Sequence, residues 1–267
     1  MCQFFSLVSN GRGRIFYFNH IQRQEIESTD LEPDSHSSIV DYYRKNGQVA
    51  DRNTTEDLFN KWEYNPLTKE LTCDTMNTKD DTESIQKFCD GLDFKTIVPE
   101  LIIKPIVHPF KIKAGKVGKR EIDLLKEWDS VRDSVRDSVR DSVRDSVWYS
   151  VWDSVGDSVR DSVGDSVRDS VRDSVGDSVR DSVGDSVWYS VWDSVRASVW
   201  AYISSFFQLD QWKGIEHEKG VNPFQSGIDL WESGFVPSFD GKVWRLHSGT
   251  DAKVVYEISV EDLRGKK

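Results

Sequence analysis

The feature that leaves this chain the fewest options is a tetrapeptide written eighteen times over, from Asp129 to Trp200. Each unit reads Asp-Ser-Val and closes on Arg nine times, Trp five times and Gly four times. The leading Asp gives way only at Tyr149, Tyr189 and Ala197. Arg, Trp and Gly share codons that differ by one base, so a twelve-nucleotide tandem repeat that expanded and then mutated accounts for the pattern without selection for a code. The string DSVWYSVWDSV recurs 40 residues apart, at 145 and 185, as a block duplication would leave it.

A period of four suits no regular structure well. Repeat architectures use units of about 20 to 50 residues. In an α-helix each step of four drifts by about 40°, so the valines are expected to spiral round the axis instead of forming one apolar stripe. Val, Ser and Asp are mediocre helix formers, and each of Gly156, Gly164, Gly176 and Gly184 costs about 1 kcal/mol. Asp–Arg pairs at i,i+3, such as Asp133–Arg136, return roughly 0.2–0.5 kcal/mol each. In a strand, Asp and Val would share one face and Ser and Arg the other. A β-solenoid would align the two Trp blocks only with a 20-residue coil. A helix places Trp148, Trp152, Trp188 and Trp192 within an arc of about 80°. The flanking REIDLLKEW and ASVWAYISSFFQLDQW are helical and in phase with it. Of helix, β-solenoid and disordered segment, the helix is the favoured reading, supported by partners more than by its own propensity. Its contact points would be the aromatic clusters Trp148, Tyr149, Trp152 and Trp188, Tyr189, Trp192, some 60 Å apart along an unbroken helix.

The expected organisation is an N-terminal α+β region (1–112), a linker and helix entry (113–128), the array (129–200) and a C-terminal α+β region (201–267). Overall this is an α+β class, small mixed flanks around a long repeat segment. Phe4–Ser9, Asn10-Gly11 and Arg14–Phe18 read as strand, turn and strand. PDSHSSIVDYYRKNG, NTTEDLFNKW and TESIQKFCDG read as short capped helices, and WEYNPLTKELTCD as a hairpin. The proline-spaced TIVPELIIKPIVHPFKI is an extended clamp along a core. GIDLWESG is a short helix, and PSFDGKVWRLHSGTDAKVVYEISV gives two strands, Lys242–His247 and Lys253–Val260.

These stretches carry a resemblance. LLKEWDSV and VWAYISSFF around the array, YNPLTKEL and KPIVHPFKI before it and VPSFDGKVWRLHSG after it are similar to a group of phage and environmental proteins with DSVR/DSVW-type arrays of varying length. The resemblance implies no activity, cofactor or site residue.

The net charge of −11 argues against phosphate-backbone partners. No run approaches the roughly 20 apolar residues of a membrane span, and the start lacks the pattern of a secretory leader. Cys2, Cys73 and Cys89 form neither a disulfide framework nor a zinc pattern, and a cytoplasmic location is expected. The sharpest catalytic idea is Cys2, which removal of Met1 would expose at the head of a strand. That resembles the N-terminal-nucleophile amidotransferases, whose free amine serves as base for the thiol, although Gln3 stands where they carry Gly or Arg. Asp34-Ser35-His36-Ser37 assembles triad residue types too close in sequence for triad geometry and reads as a helix cap. His20, His36, His108, His217 and His247 show no metal spacing. The expectation is a non-enzymatic interaction or structural protein without cofactor or metal. Its array would be a spacer or a surface for self-association or a protein partner. The alternatives are a hydrolase or amidotransferase using Cys2, and a small binding domain with a functionless repeat expansion.

Overall fold

Asn10 and Gly11 close the first hairpin: the Asn10 side chain accepts hydrogen bonds from the backbone of Arg12 and Arg14, and Gly11 takes a φ of 65°. The computed structural model describes residues 5–49, 53–147, 149–179 and 185–265, with side chains undescribed at 176–179 and 185–188. Two compact units emerge, 1–105 with 146–156, and 106–145 with 157–267. The whole is mixed α+β, and among the described residues of the array there is no strand.

In the first unit, strands β1 (Phe5–Ser9) and β2 (Ile15–Phe16) lead to helices α1 (His20–Ile26) and α2 (His36–Lys45). Strands β3 (Asn60–Asn65) and β4 (Glu70–Thr75) and helix α3 (Thr82–Asp90) follow. The antiparallel sheet runs β2-β1-β3-β4. Asn19 caps α1 in a reciprocal capping box with Gln22, and Ser35 caps α2. Val8, Phe16, Phe18, Ile39, Val40 and Tyr43 close the core between sheet and helices. NTTEDLFNKW is not a helix. A single 3-10 turn at Glu56–Leu58 delivers the chain into β3, because Trp62 and Tyr64 have partners on both sides, in β1 and β4.

Beneath this sheet lies a buried ion pair. Arg23 binds Asp34 through two hydrogen bonds, of 2.6 and 3.3 Å, and donates to the Phe18 carbonyl. The array joins it: the Ser150 hydroxyl donates to the same Asp34 carboxylate. The repeat segment therefore completes the polar core of a unit that begins over a hundred residues earlier.

The second unit opens on the extended stretch before Pro109, tied down where Val107 accepts from the Trp231 indole and donates to the Tyr202 hydroxyl. Helix α4 (Lys119–Val131) enters the array, a 3-10 turn follows, and α5 (Val135–Ser146) continues. Helix α6 (Tyr149–Val159) lies mostly in the first unit, and a π turn (Arg160–Gly164), α7 (Asp165–Val179) and α8 (Asp185–Ser204) carry the rest of the array in the second. Helix α9 (Gln225–Glu232), strands β5 (Val236–Phe239), β6 (Val243–Ser248) and β7 (Lys253–Ser259), and α10 (Val260–Arg264) complete it. The antiparallel sheet is β5-β6-β7. Sequence reasoning passes over β5 because of Pro237, which is at home on an edge strand.

The expectation that the valines spiral out of the core is overturned. From Val135 to Val175, and again at Val191, Val195 and Val199, every array valine is at most 8% exposed. The reason is the length of the segments. Helices α5, α6 and α7 run 12, 11 and 15 residues. Three described valines per helix span only about 80° at 40° per step, within the width of one apolar face. Before the drift carries valine into solvent, the helix breaks at Val147 or slackens into the π turn, which takes more residues per turn and recovers phase. The Asp–Arg pairs at i,i+3 do form, at Asp137–Arg140, Asp157–Arg160, Asp165–Arg168 and Asp169–Arg172.

Helices α7 and α8 pair antiparallel, since Arg168 meets Trp192 while Gly164, four residues earlier, meets Val199, seven later. Near the C-terminal end of α8, Ala201 and Trp128 close on Gly227 of α9 so tightly that an added Cβ would stand 2.7 Å from the Trp128 ring.

Candidate functional site

The chemistry proposed from sequence can be placed residue by residue. Cys2 lies outside the described residues. Cys73 and Cys89 are free thiols. Burial, reinforced by Asp74, Asp80 and Asp81, raises the Cys73 pKa; burial and Asp90 push Cys89 up to about 12. A nucleophilic cysteine needs the opposite shift. Ser35 caps α2 and His36 is its first residue, with His36 Nε2 bonded to the Trp62 carbonyl at 3.1 Å. Among the described residues no His, Cys, Asp or Glu cluster could hold a metal ion.

Two hydroxyl–imidazole pairs among the described residues have dyad distance. In the first, His108 Nδ1 accepts from the Phe110 N–H, so Nε2 carries the proton and donates to Ser166 Oγ at 2.7 Å, which leaves no base for that hydroxyl. The second joins β5 to β6. Ser238 Oγ lies 2.8 Å from His247 Nε2, and His247 Nδ1 lies 2.9 Å from the Ala252 carbonyl. A carbonyl only accepts, so Nδ1 carries the proton and Ser238 donates to Nε2. Both residues are fully buried, and burial drives the imidazole pKa down to about 4. With no access for a substrate, this is a strand-to-strand clasp.

The six aromatics expected as contact points separate. Trp148 and the side chain of Trp188 lie outside the described residues. Trp152 is 8% exposed and belongs to the first unit's core, not to a surface. Tyr149 and Tyr189 are 61% and 73% exposed, and Trp192 is 39% exposed. The clusters do not lie along one unbroken helix, because the array is cut into segments assigned to both units.

The concavities of the second unit lie along α8, where Trp192, Arg196 and Trp200 recur at four-residue spacing and so share a face. One cleft, of about 390 Å³, is lined by Arg132, Arg136 and Arg196 and by Asp133, Asp137 and Asp193, so its charges balance. Arg132 lies over the rings of Phe239 and Trp244, at 4.8 and 5.2 Å. The second cleft, of about 220 Å³, lies between the π turn and α8. Arg160, Arg168 and Arg196 face a single acid there, Asp165, over an apolar floor. Arg168 pairs with Asp165 at 2.9 Å and lies 5.1 Å from the centre of the Trp192 ring. Sequence reasoning misses Arg168 and Arg196 because each is one of nine identical letters. The Trp192-Arg196-Trp200 spacing was the available signal.

Comparison of the chain with family models, with curated proteins and with solved structures gives no match.

Proposed function

We propose that this is a non-catalytic interaction protein whose repeat array is both core and contact surface. The observation that carries the reading is the division of labour within the repeat: valine points inward at every described position from 135 onward, while Tyr149, Tyr189 and Trp192 stay in solvent. Tyrosine and tryptophan are enriched where proteins meet. The fixed roles of individual repeats support a working array over a passenger expansion. Asp129 receives the Trp244 indole and the Arg264 guanidinium, Ser142 accepts from the Lys213 backbone and Ser194 from that of Phe239. The two free thiols favour a reducing compartment, the cytoplasm in our reading, and among the described residues no helix is long and apolar enough to cross a membrane. The resemblance to phage-like proteins with variable arrays fits this reading and adds no activity to it.

The experiment is sedimentation velocity of the full chain over a range of concentrations, beside the Tyr149→Ser/Tyr189→Ser variant. Concentration-dependent association that the variant weakens at least fivefold is the expected result. Association of equal strength in both, or a chain monomeric throughout, removes the array as a self-association surface.

A further inference from the structure

We propose that the cleft between the π turn and α8 binds a small organic monoanion with a flat apolar body, a carboxylate being the head group its arginines fit. The charge of the lining is lopsided: Arg160, Arg168 and Arg196 stand against Asp165 alone. Their existing commitments leave capacity for an anion. Arg160 is paired with Asp157 and Arg168 with Asp165, whereas Arg196 has no ion pair or hydrogen bond among the described residues. The buried Nε of Arg168 has no acceptor, a desolvation cost that a ligand oxygen could relieve. Arginine forks suit a carboxylate because both oxygens can be held at once.

The rest of the lining wants carbon. Val195, Val199 and Ile203 form an apolar floor beside the Trp192 and Trp200 rings. The π turn lies close to α8 at Gly164, where an added Cβ would stand in van der Waals contact with Val199 Cγ1, at 3.4 Å. At about 220 Å³ the space falls below the roughly 300 Å³ at which drug-sized sites begin. One aromatic ring with a short acidic arm fills it. The neighbouring cleft, with arginines and aspartates in equal number, has no such preference.

The inference shares α8 with the proposed contact surface but does not depend on the tyrosines, and the test keeps the two apart. Phenylacetate, phenylacetamide and inorganic phosphate are titrated into the full chain by calorimetry at low salt. Phenylacetate is expected to bind at least tenfold more tightly than the amide, and phosphate to compete poorly. Arg196→Gln should weaken phenylacetate at least fivefold without affecting the amide. Asp165→Asn, which removes the one acid, should tighten it. A Tyr149→Ser/Tyr189→Ser chain should bind phenylacetate as the parent does, whether or not association is lost. No heat with phenylacetate, an amide that binds equally, phosphate that competes as well as phenylacetate, or two folded variants that change nothing would each overturn the proposal.

Discussion

His247 is the side chain whose protonation the fold constrains most visibly. Its ring is sealed between Ser238 and the Ala252 carbonyl and is neutral because burial has driven its pKa to about 4. An unfolded histidine titrates near 6.5, so between pH 6.5 and 4 the unfolded chain binds the extra proton and the folded chain does not. Stability contributed by this group is complete above that window and falls as pH drops through it, by about 3 kcal/mol in all. Calorimetric melting between pH 7 and 4 should show that slope, and His247→Gln should flatten it. The buried Arg23–Asp34 pair makes a different demand. Arg23→Met strands a carboxylate held by Ser150 and should cost about 3–5 kcal/mol in denaturant midpoint measurements, while the Arg23→Met/Asp34→Leu double variant should recover part of that loss. Neither site was legible as a pair, since Arg23 lies in α1 and Asp34 in the turn before α2, with no spacing that signals contact. His247 was legible only as one of five histidines without metal spacing.

At the scale of elements, the array behaves as a set of short helices, each long enough to hold its valines on one side. Val171, fully buried in α7, should therefore be far more sensitive than its neighbour Asp169, whose surface pair with Arg172 stays open to solvent. Val171→Ala is expected to cost about 2 kcal/mol and Asp169→Ala no more than about 0.5 kcal/mol, both read by chemical denaturation. The helical state and the Asp–Arg spacing were legible because they are local. The breaks were not. They are set by accumulated drift against a fixed core, a tertiary condition that a uniform repeat cannot display. The same limit explains the errors outside the array. The acids and caps of NTTEDLFNKW look helical locally, yet the segment after them pairs with strands from distant parts of the sequence. Pro237 hides a strand that is tolerated only because it lies on the edge.

At the scale of the whole molecule, α4, α8 and α9 meet at a point that admits no side chain. Gly227→Ala would force Trp128 and Ala201 apart, and a loss of about 1–3 kcal/mol is expected in thermal melting of the full chain. The α7–α8 pairing has a broader consequence. Slide one arm of that pairing along the other by a single repeat, and valine still falls on valine's former place. Such a shifted alignment lies close in energy to the native one, the condition under which a landscape grows competing minima. What distinguishes the alignments is the irregular letters. Gly164 lies against Val199, Trp192 lies beneath Arg168, and Ala197 occupies a buried position at which the repeat's usual aspartate would have to bury a carboxylate. The departures from repetition thus serve as address labels, and a chain restored to perfect Asp-Ser-Val-Arg should refold more heterogeneously than the imperfect one.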